Sequence, residues 1–193
     1  MIGERHLLAG GVAVPFVYFA NLFVAGWMTP GFDHGAQMPS ELGVAGLPFA
    51  GPFNAGLIAV GVALLLGAFG LAGGLRGIGA HWVLAEVTAL SMGLAGFAMA
   101  IAGIVPLPDP LHYGFNVLVA GVFTPLLGAI AIGAGPARLV LLAAFAAIIV
   151  VLVVTRVVDG LVAPSNVGWW VRGLGLIAFS SMAYLCWTVM RRA

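Results

Sequence analysis

Side chains able to do chemistry are few in this 193-residue sequence, and most of them fall in two short stretches. Carboxylate, imidazole and amide groups recur in both stretches, at Asp33, His34 and Glu41 and again at Asp109, His112 and Asn116. Groups of these kinds can orient the headgroup of a ligand, bind a metal ion or relay a proton. They can equally form hydrogen bonds that hold neighbouring helices together. The residue types alone leave both interpretations open.

The second stretch contains three prolines at alternate positions, the last of them Pro110. Such prolines prevent a helix before Pro110, which itself suits the first position of a helix. Asp109 is then expected to cap that helix, its carboxylate accepting hydrogen bonds from free backbone N–H groups. His112 and Asn116 are four residues apart, so they are predicted to share one face of the helix.

Two polar residues lie within or at the start of apolar runs. Asn54 opens one run and could pair with Asn116 at the same depth. Glu86 lies inside another, where an ionisable group costs at least ~2.5 kcal/mol, so a functional role is the first expectation. Glu86 could instead stay protonated, bond to Ser91 or a neighbouring helix, or extend toward Arg76.

A third candidate is Arg172, near the start of the last apolar run. It faces Arg156 and Asp159, which are three residues apart and are expected to form an ion pair. Arg172 could join that pair or bind the phosphate of a lipid.

Six long apolar runs must position these residues. Hydrophobic residues make up 63% of the chain and charged residues 7%, and a helix needs roughly 20 mostly apolar residues to cross a bilayer. Continuous runs indicate helices rather than barrel strands. The predicted spans lie near residues 7–28, 53–75, 82–105, 113–134, 139–158 and 169–190. The sequence therefore predicts an all-α polytopic membrane protein, a single domain of six transmembrane helices over residues 1–193.

Arginine sets the predicted orientation, because the chain contains no lysine. Alternate loops collect five of the seven arginines on one side, at Arg5, Arg76, Arg138, Arg191 and Arg192. The positive-inside rule places this side and both termini in the cytoplasm. The long loop of residues 29–52 is then outside, where it forms a hydrophobic lid, contacts a ligand, or does both.

Three sequence segments resemble a bacterial six-span membrane family known as domain of unknown function 998. They are SELG at residues 40–43, PFNAGLI at residues 52–58, and GIVP at residues 103–106 followed by Asp109 and His112. The resemblance covers roughly residues 7–134. It implies a six-span fold in a bacterial inner membrane and a pattern of polar residues, but no established reaction.

We interpret the chain as a noncatalytic protein that binds a lipid or small ligand on its outer face. The predicted ligand-binding residues are Asp33, His34, Glu41, Asn54, Asp109, His112, Asn116 and Arg172. Membrane lipids are the expected partners, with other membrane subunits as a further option. The net charge of +1 gives no reason to expect nucleic acid.

Two other functions stay open at this point. One is an accessory subunit of a respiratory or photosynthetic complex, in which His6 and His81 are candidate ligands for haem or chlorophyll. The other is an intramembrane metal-dependent hydrolase, with zinc held by the outer histidines and carboxylates. No histidine pair has a metal-ligand spacing, so neither a metal nor another cofactor is predicted.

The predicted topology can be tested with reporter fusions. A reporter placed after Ala193 is expected to be active in the cytoplasm, and one inserted near Gln37 is expected to be active outside. Activity on the same side for both fusions would contradict the six-span count.

Overall fold

The computed structural model describes residues 3–114 and 118–193, and the regular structure within them is helical. The helices are α1 (Glu4–Met28), α2 (Ala50–Gly77), α3 (Trp82–Ile104), α4 (Leu111–Gly114), α5 (Leu118–Gly121), α6 (Thr124–Ala131), α7 (Pro136–Val157) and α8 (Val167–Arg192). A short 3₁₀ helix spans Pro39–Gly43. The predicted all-α fold class is confirmed for this part of the chain.

Five helices, namely α1, α2, α3, α7 and α8, are long and apolar enough to cross a membrane. They coincide with five of the predicted spans, so the chain has the architecture of an integral membrane protein. The first two begin three residues earlier than expected, at Glu4 and Ala50. The long loop therefore ends at Phe49. Pro52 is tolerated in the first turn of α2 because N–H groups in that turn have no intrahelical acceptor.

The fourth predicted span, residues 113–134, contains short helices in its described part. One ends at Gly121 and the next begins at Thr124, with Pro125 in its first turn. At this break the Ala120 carbonyl accepts a hydrogen bond from the Ser91 hydroxyl of α3 at 2.6 Å. Glycine and proline both lower helix propensity, which accounts for the interruption. The count of six spans and the orientation of the termini stay predictions.

The long helices pack closely where glycine removes the side chain. A Cβ atom on Gly67 of α2 would lie 2.8 Å from the Cα atom of Gly11 in α1. A Cβ atom on Gly61 would lie 2.6 Å from the carbonyl oxygen of Gly96 in α3. Small residues allow this approach, which supplies the van der Waals contact that holds membrane helices together. α1, α2 and α3 thus form the packed centre of the bundle.

One end of this bundle is covered by residues 29–49, which we call the lid. The 3₁₀ helix of the lid contacts α1, α2 and α8. Leu42 in that helix is fully buried in the same apolar cluster as Phe53 of α2. The lid therefore packs onto the helices, and its end of the bundle is called the lid end below. Its placement in the headgroup region stays a prediction.

The packing of α2 against α3 generates a stability prediction. Gly61→Ala is expected to lower the free energy of unfolding by about 1–3 kcal/mol, because the added methyl group meets backbone atoms that cannot turn aside. Gly173→Ala is the matched control, since a Cβ at Gly173 of α8 meets no atom within 4 Å. Thermal unfolding in detergent measures both variants, and equal melting temperatures would contradict the close contact.

Candidate functional site

The lid end is organised around Arg172, in the second turn of α8. Its side chain is 3% exposed, which is unusual for a guanidinium group. Nη1 donates a hydrogen bond to the backbone carbonyl of Gln37 in the lid at 2.8 Å. The guanidinium carbon also lies 5.7 Å from the centre of the Phe32 ring, a cation–π contact. Arg172 therefore joins the last helix to the first long loop.

Gly168, one turn before Arg172, provides the space for this contact. Its backbone N–H donates to the carbonyl of Gly35 at 2.7 Å. A Cβ atom at Gly168 would collide with the carbonyl oxygen of His34, and it would lie 2.5 Å from that of Gln37. Any larger residue at position 168 would therefore push the lid away from α8.

The turn of residues 33–37, whose carbonyl groups face α8, is stabilised by hydrogen bonds of its own side chains. Asp33 Oδ1 accepts hydrogen bonds from the N–H groups of Gly35 and Ala36 at 2.7 and 3.3 Å. The Asp33 N–H donates to Gln37 Oε1 at 2.8 Å. The Asp33 carboxylate thus uses one of its oxygens to shape the turn.

Glu41 stabilises the next part of the lid in a similar way. Its carboxylate accepts from the Met38 N–H at 2.7 Å and from Gln37 Nε2 at 3.1 Å. This arrangement caps the start of the 3₁₀ helix. Both predicted acidic ligands of the lid therefore have structural partners, while their charges lie near enough to interact with Arg172.

Two donors of Arg172 are left over. Nε and Nη2 are buried and have no hydrogen-bond partner within the described residues. These two nitrogens form one edge of the planar guanidinium group, and their N–H bonds point in the same direction. An edge of this kind can bind a carboxylate or phosphate through two parallel hydrogen bonds.

His34 lies beside this guanidinium. Its ring packs against Phe23 and Phe32, with ring centres 5.3 and 5.1 Å apart, and against the backbone of Gly26. Its Nδ1 is buried and unpaired within the described part of the chain. Burial and the positive charge of Arg172 lower the pKa of His34, and the Asp33 carboxylate opposes part of that effect.

Asn54 lies at the opposite edge of the lid. Its Nδ2 donates to the Gly43 carbonyl at 2.9 Å, which ties the end of the 3₁₀ helix to α2. Asn21 of α1 makes a similar bond to the neighbouring Phe53 carbonyl at 3.0 Å. The lid, α1 and α2 are thus connected within one turn of α2.

The second polar stretch has its own local contacts. Asp109 Oδ1 accepts from the Leu111 N–H at 2.8 Å, as expected for a helix cap. His112 Nδ1 lies 2.7 Å from the Val105 carbonyl oxygen. Asn116 lies outside the described residues, as does its predicted pairing with Asn54. The two polar stretches are predicted to lie on the same side of the membrane, so we also expect Asp33 or His34 to approach His112, and this stays a prediction.

The remaining charged candidates differ in whether they form an ion pair. Glu86 forms an ion pair with Arg76 at 3.0 Å, so the alternative in which it extends toward that arginine is confirmed. Among the described residues this is the one ion pair between side chains, so the expected pair between Arg156 and Asp159 is wrong. The reason is that α7 ends at Val157, which leaves Asp159 beyond the helical face that carries Arg156.

Sequence reasoning missed Phe32, Gln37 and Gly168. Gln37 takes part mainly through its backbone carbonyl, which every residue type carries, and 135 residues separate it from Arg172. Gly168, four residues before Arg172, was the one available signal, since glycine permits close backbone contact.

No protein-family model, curated protein or solved structure matches the chain. The resemblance to the domain of unknown function 998 family therefore stays a prediction. Within the described residues, no three His, Cys, Asp or Glu side chains are grouped to hold a metal. The zinc, haem and chlorophyll alternatives, including those that involve His6 and His81, stay open.

The environment of His34 predicts a pH effect on the lid. A pKa lowered in the folded state means that the unfolded chain binds the proton more readily, so stability falls as the pH drops through the ordinary value of about 6.5. We expect the melting temperature to fall more between pH 8 and pH 5 for the native protein than for His34→Asn. Parallel pH profiles for the two proteins would contradict this prediction.

Proposed function

We propose that this integral membrane protein binds the anionic group of a lipid or small amphiphile at the lid end. The observation that carries the proposal is the buried Nε and Nη2 edge of Arg172, which has no acceptor within the described residues. A buried donor without an acceptor costs about 1–3 kcal/mol, and more when it is charged. An anionic oxygen pair would remove that cost.

The surroundings of the site favour an anion attached to an apolar chain. A groove of about 490 Å³ runs between α1 and α8, with walls that include Phe16, Phe19 and Leu176. Phe23 lines the same groove and also contacts the ring of His34. The groove therefore leads from the surface of the bundle toward the residues around Arg172. A lipid chain in the groove would bring its headgroup to the lid.

Opening of the part of the lid at α8, residues 32–37, would break few contacts. Its attachments to α8 are the hydrogen bonds to Arg172 and Gly168 and the contacts around Phe32. Turns and short 3₁₀ helices such as these belong to the least stable parts of a fold. Local opening would expose the guanidinium edge, and a bound anion would hold the lid closed. Under the predicted orientation, the ligand would enter from the outer leaflet.

The test uses hydrogen exchange of residues 33–41 in the detergent-purified protein. Dioctanoyl phosphatidylglycerol is expected to slow exchange in the lid, whereas the zwitterionic dioctanoyl phosphatidylcholine is not. Inorganic phosphate forms a third arm, which distinguishes a free anion from a lipid. Arg172→Gln is expected to weaken the effect of phosphatidylglycerol about 10- to 100-fold, the range for charge-assisted hydrogen bonds.

Two further variants keep this test decisive. Arg172→Lys retains the charge but lacks the paired N–H edge, so weakened binding in a folded Arg172→Lys protein supports the proposed geometry. Arg138→Gln, at the start of α7, is the matched control and should bind as the native protein does. Equal protection by the two lipids, or full protection in Arg172→Gln, would overturn the proposal.

A further inference from the structure

A second groove lies between α7 and α8, away from the Arg172 site. On α8 it is lined by Val167, Trp170, Val171 and Leu174, which recur at helical spacing and form one stripe. Trp170 and Arg172 are two residues apart, so they face nearly opposite sides of α8. The groove has a volume of about 330 Å³. Because it lies on the opposite face of α8, this groove is separate from the groove between α1 and α8.

The facing wall of this groove belongs to the last two turns of α7. Val151, Leu152 and Thr155 line it, followed by Arg156 near the end of the helix. Met38 of the lid also contributes. The lining on α8 runs from Val167 to Leu174, which is seven helical rises or roughly 10 Å along the helix axis. A largely apolar groove of that depth, with a cation near one end, is complementary to a phospholipid, which carries an anionic group at the end of its apolar chains.

Arg156 has no ion pair or hydrogen bond within the described residues, and it is exposed. Its charge is therefore available to a partner outside the chain. In the most apolar 18-residue stretch of α7, 17% is buried, the lowest share among the five long helices. Most of this helix therefore faces its surroundings. In a helix this apolar those surroundings are lipid, and tryptophans such as Trp169 and Trp170 are typical of the headgroup level.

We propose that the groove between α7 and α8 binds an anionic phospholipid, with its phosphate at Arg156 and the upper part of one acyl chain between the helices. Charge complementarity selects the lipid class, because an arginine at the membrane surface favours an anionic headgroup over a zwitterionic one. This site is independent of the proposed function at Arg172.

The test uses the fluorescence of Trp170, which lines the groove. The other four tryptophans are replaced by phenylalanine, and the protein is placed in vesicles that contain phosphatidylglycerol or phosphatidylcholine with brominated acyl chains. Bromine quenches indole at short range. At equal mole fraction, phosphatidylglycerol is expected to occupy the groove with about fivefold higher relative affinity, the factor that one arginine at an anionic headgroup supplies.

Variants assign this preference to Arg156. Arg156→Gln is expected to abolish it and Arg156→Lys to retain it, while Arg138→Gln at the other end of α7 leaves it unchanged. Val151→Phe, which fills the groove, is expected to reduce quenching by both lipids. Equal quenching by the two lipids, or a preference that survives Arg156→Gln, would overturn the proposal. Met38 belongs to the lid and also lines this groove, so the variants separate the two proposals. Loss of lid protection in Arg172→Gln tests the first site, and loss of the lipid preference in Arg156→Gln tests the second, so each proposal can fail alone.

Discussion

A guanidinium group buried among apolar helices needs acceptors, and this requirement organises the whole lid end. The Gln37 carbonyl supplies one acceptor to Arg172, and the Phe32 ring covers part of the charge. Asp33 shapes the turn that presents the carbonyl, while Gly168 leaves room for it. A hydrogen bond made by a charged group contributes about 1.5–3 kcal/mol. Arg172 therefore holds the lid at α8, while Leu42 and Asn54 hold it at α2.

The long helices could be predicted because bilayer thickness fixes the length of an apolar run. α1, α2, α3, α7 and α8 follow from that length. The fourth run has a similar composition, yet the structure interrupts it between Gly121 and Thr124. Hydropathy does not register the helix-breaking effect of Gly121 and Pro125. Helix ends were missed for a related reason, since Glu4 and Arg5 can continue a helix beyond the hydrocarbon.

The candidate site was only partly predictable. His34, Asp33, Glu41 and Arg172 were identified by residue type, and the structure brings them together at one end of the bundle. Their roles differ from those expected, because the two carboxylates hold backbone N–H groups of the lid. The acceptor for Arg172 is a main-chain carbonyl, which leaves no mark in the sequence. The sequence shows which polar groups are present, whereas the fold decides which of them come into contact.

The contact between residues 37 and 172 also orders events during biosynthesis. The lid emerges from the ribosome early, but its anchor lies 135 residues later. At a synthesis rate of about 5–20 residues per second, the lid waits roughly 7 to 27 s for that anchor. During this interval its turn can hydrogen-bond to water or to other proteins of the insertion machinery. Closure of the lid onto α8 therefore cannot precede the synthesis of α8.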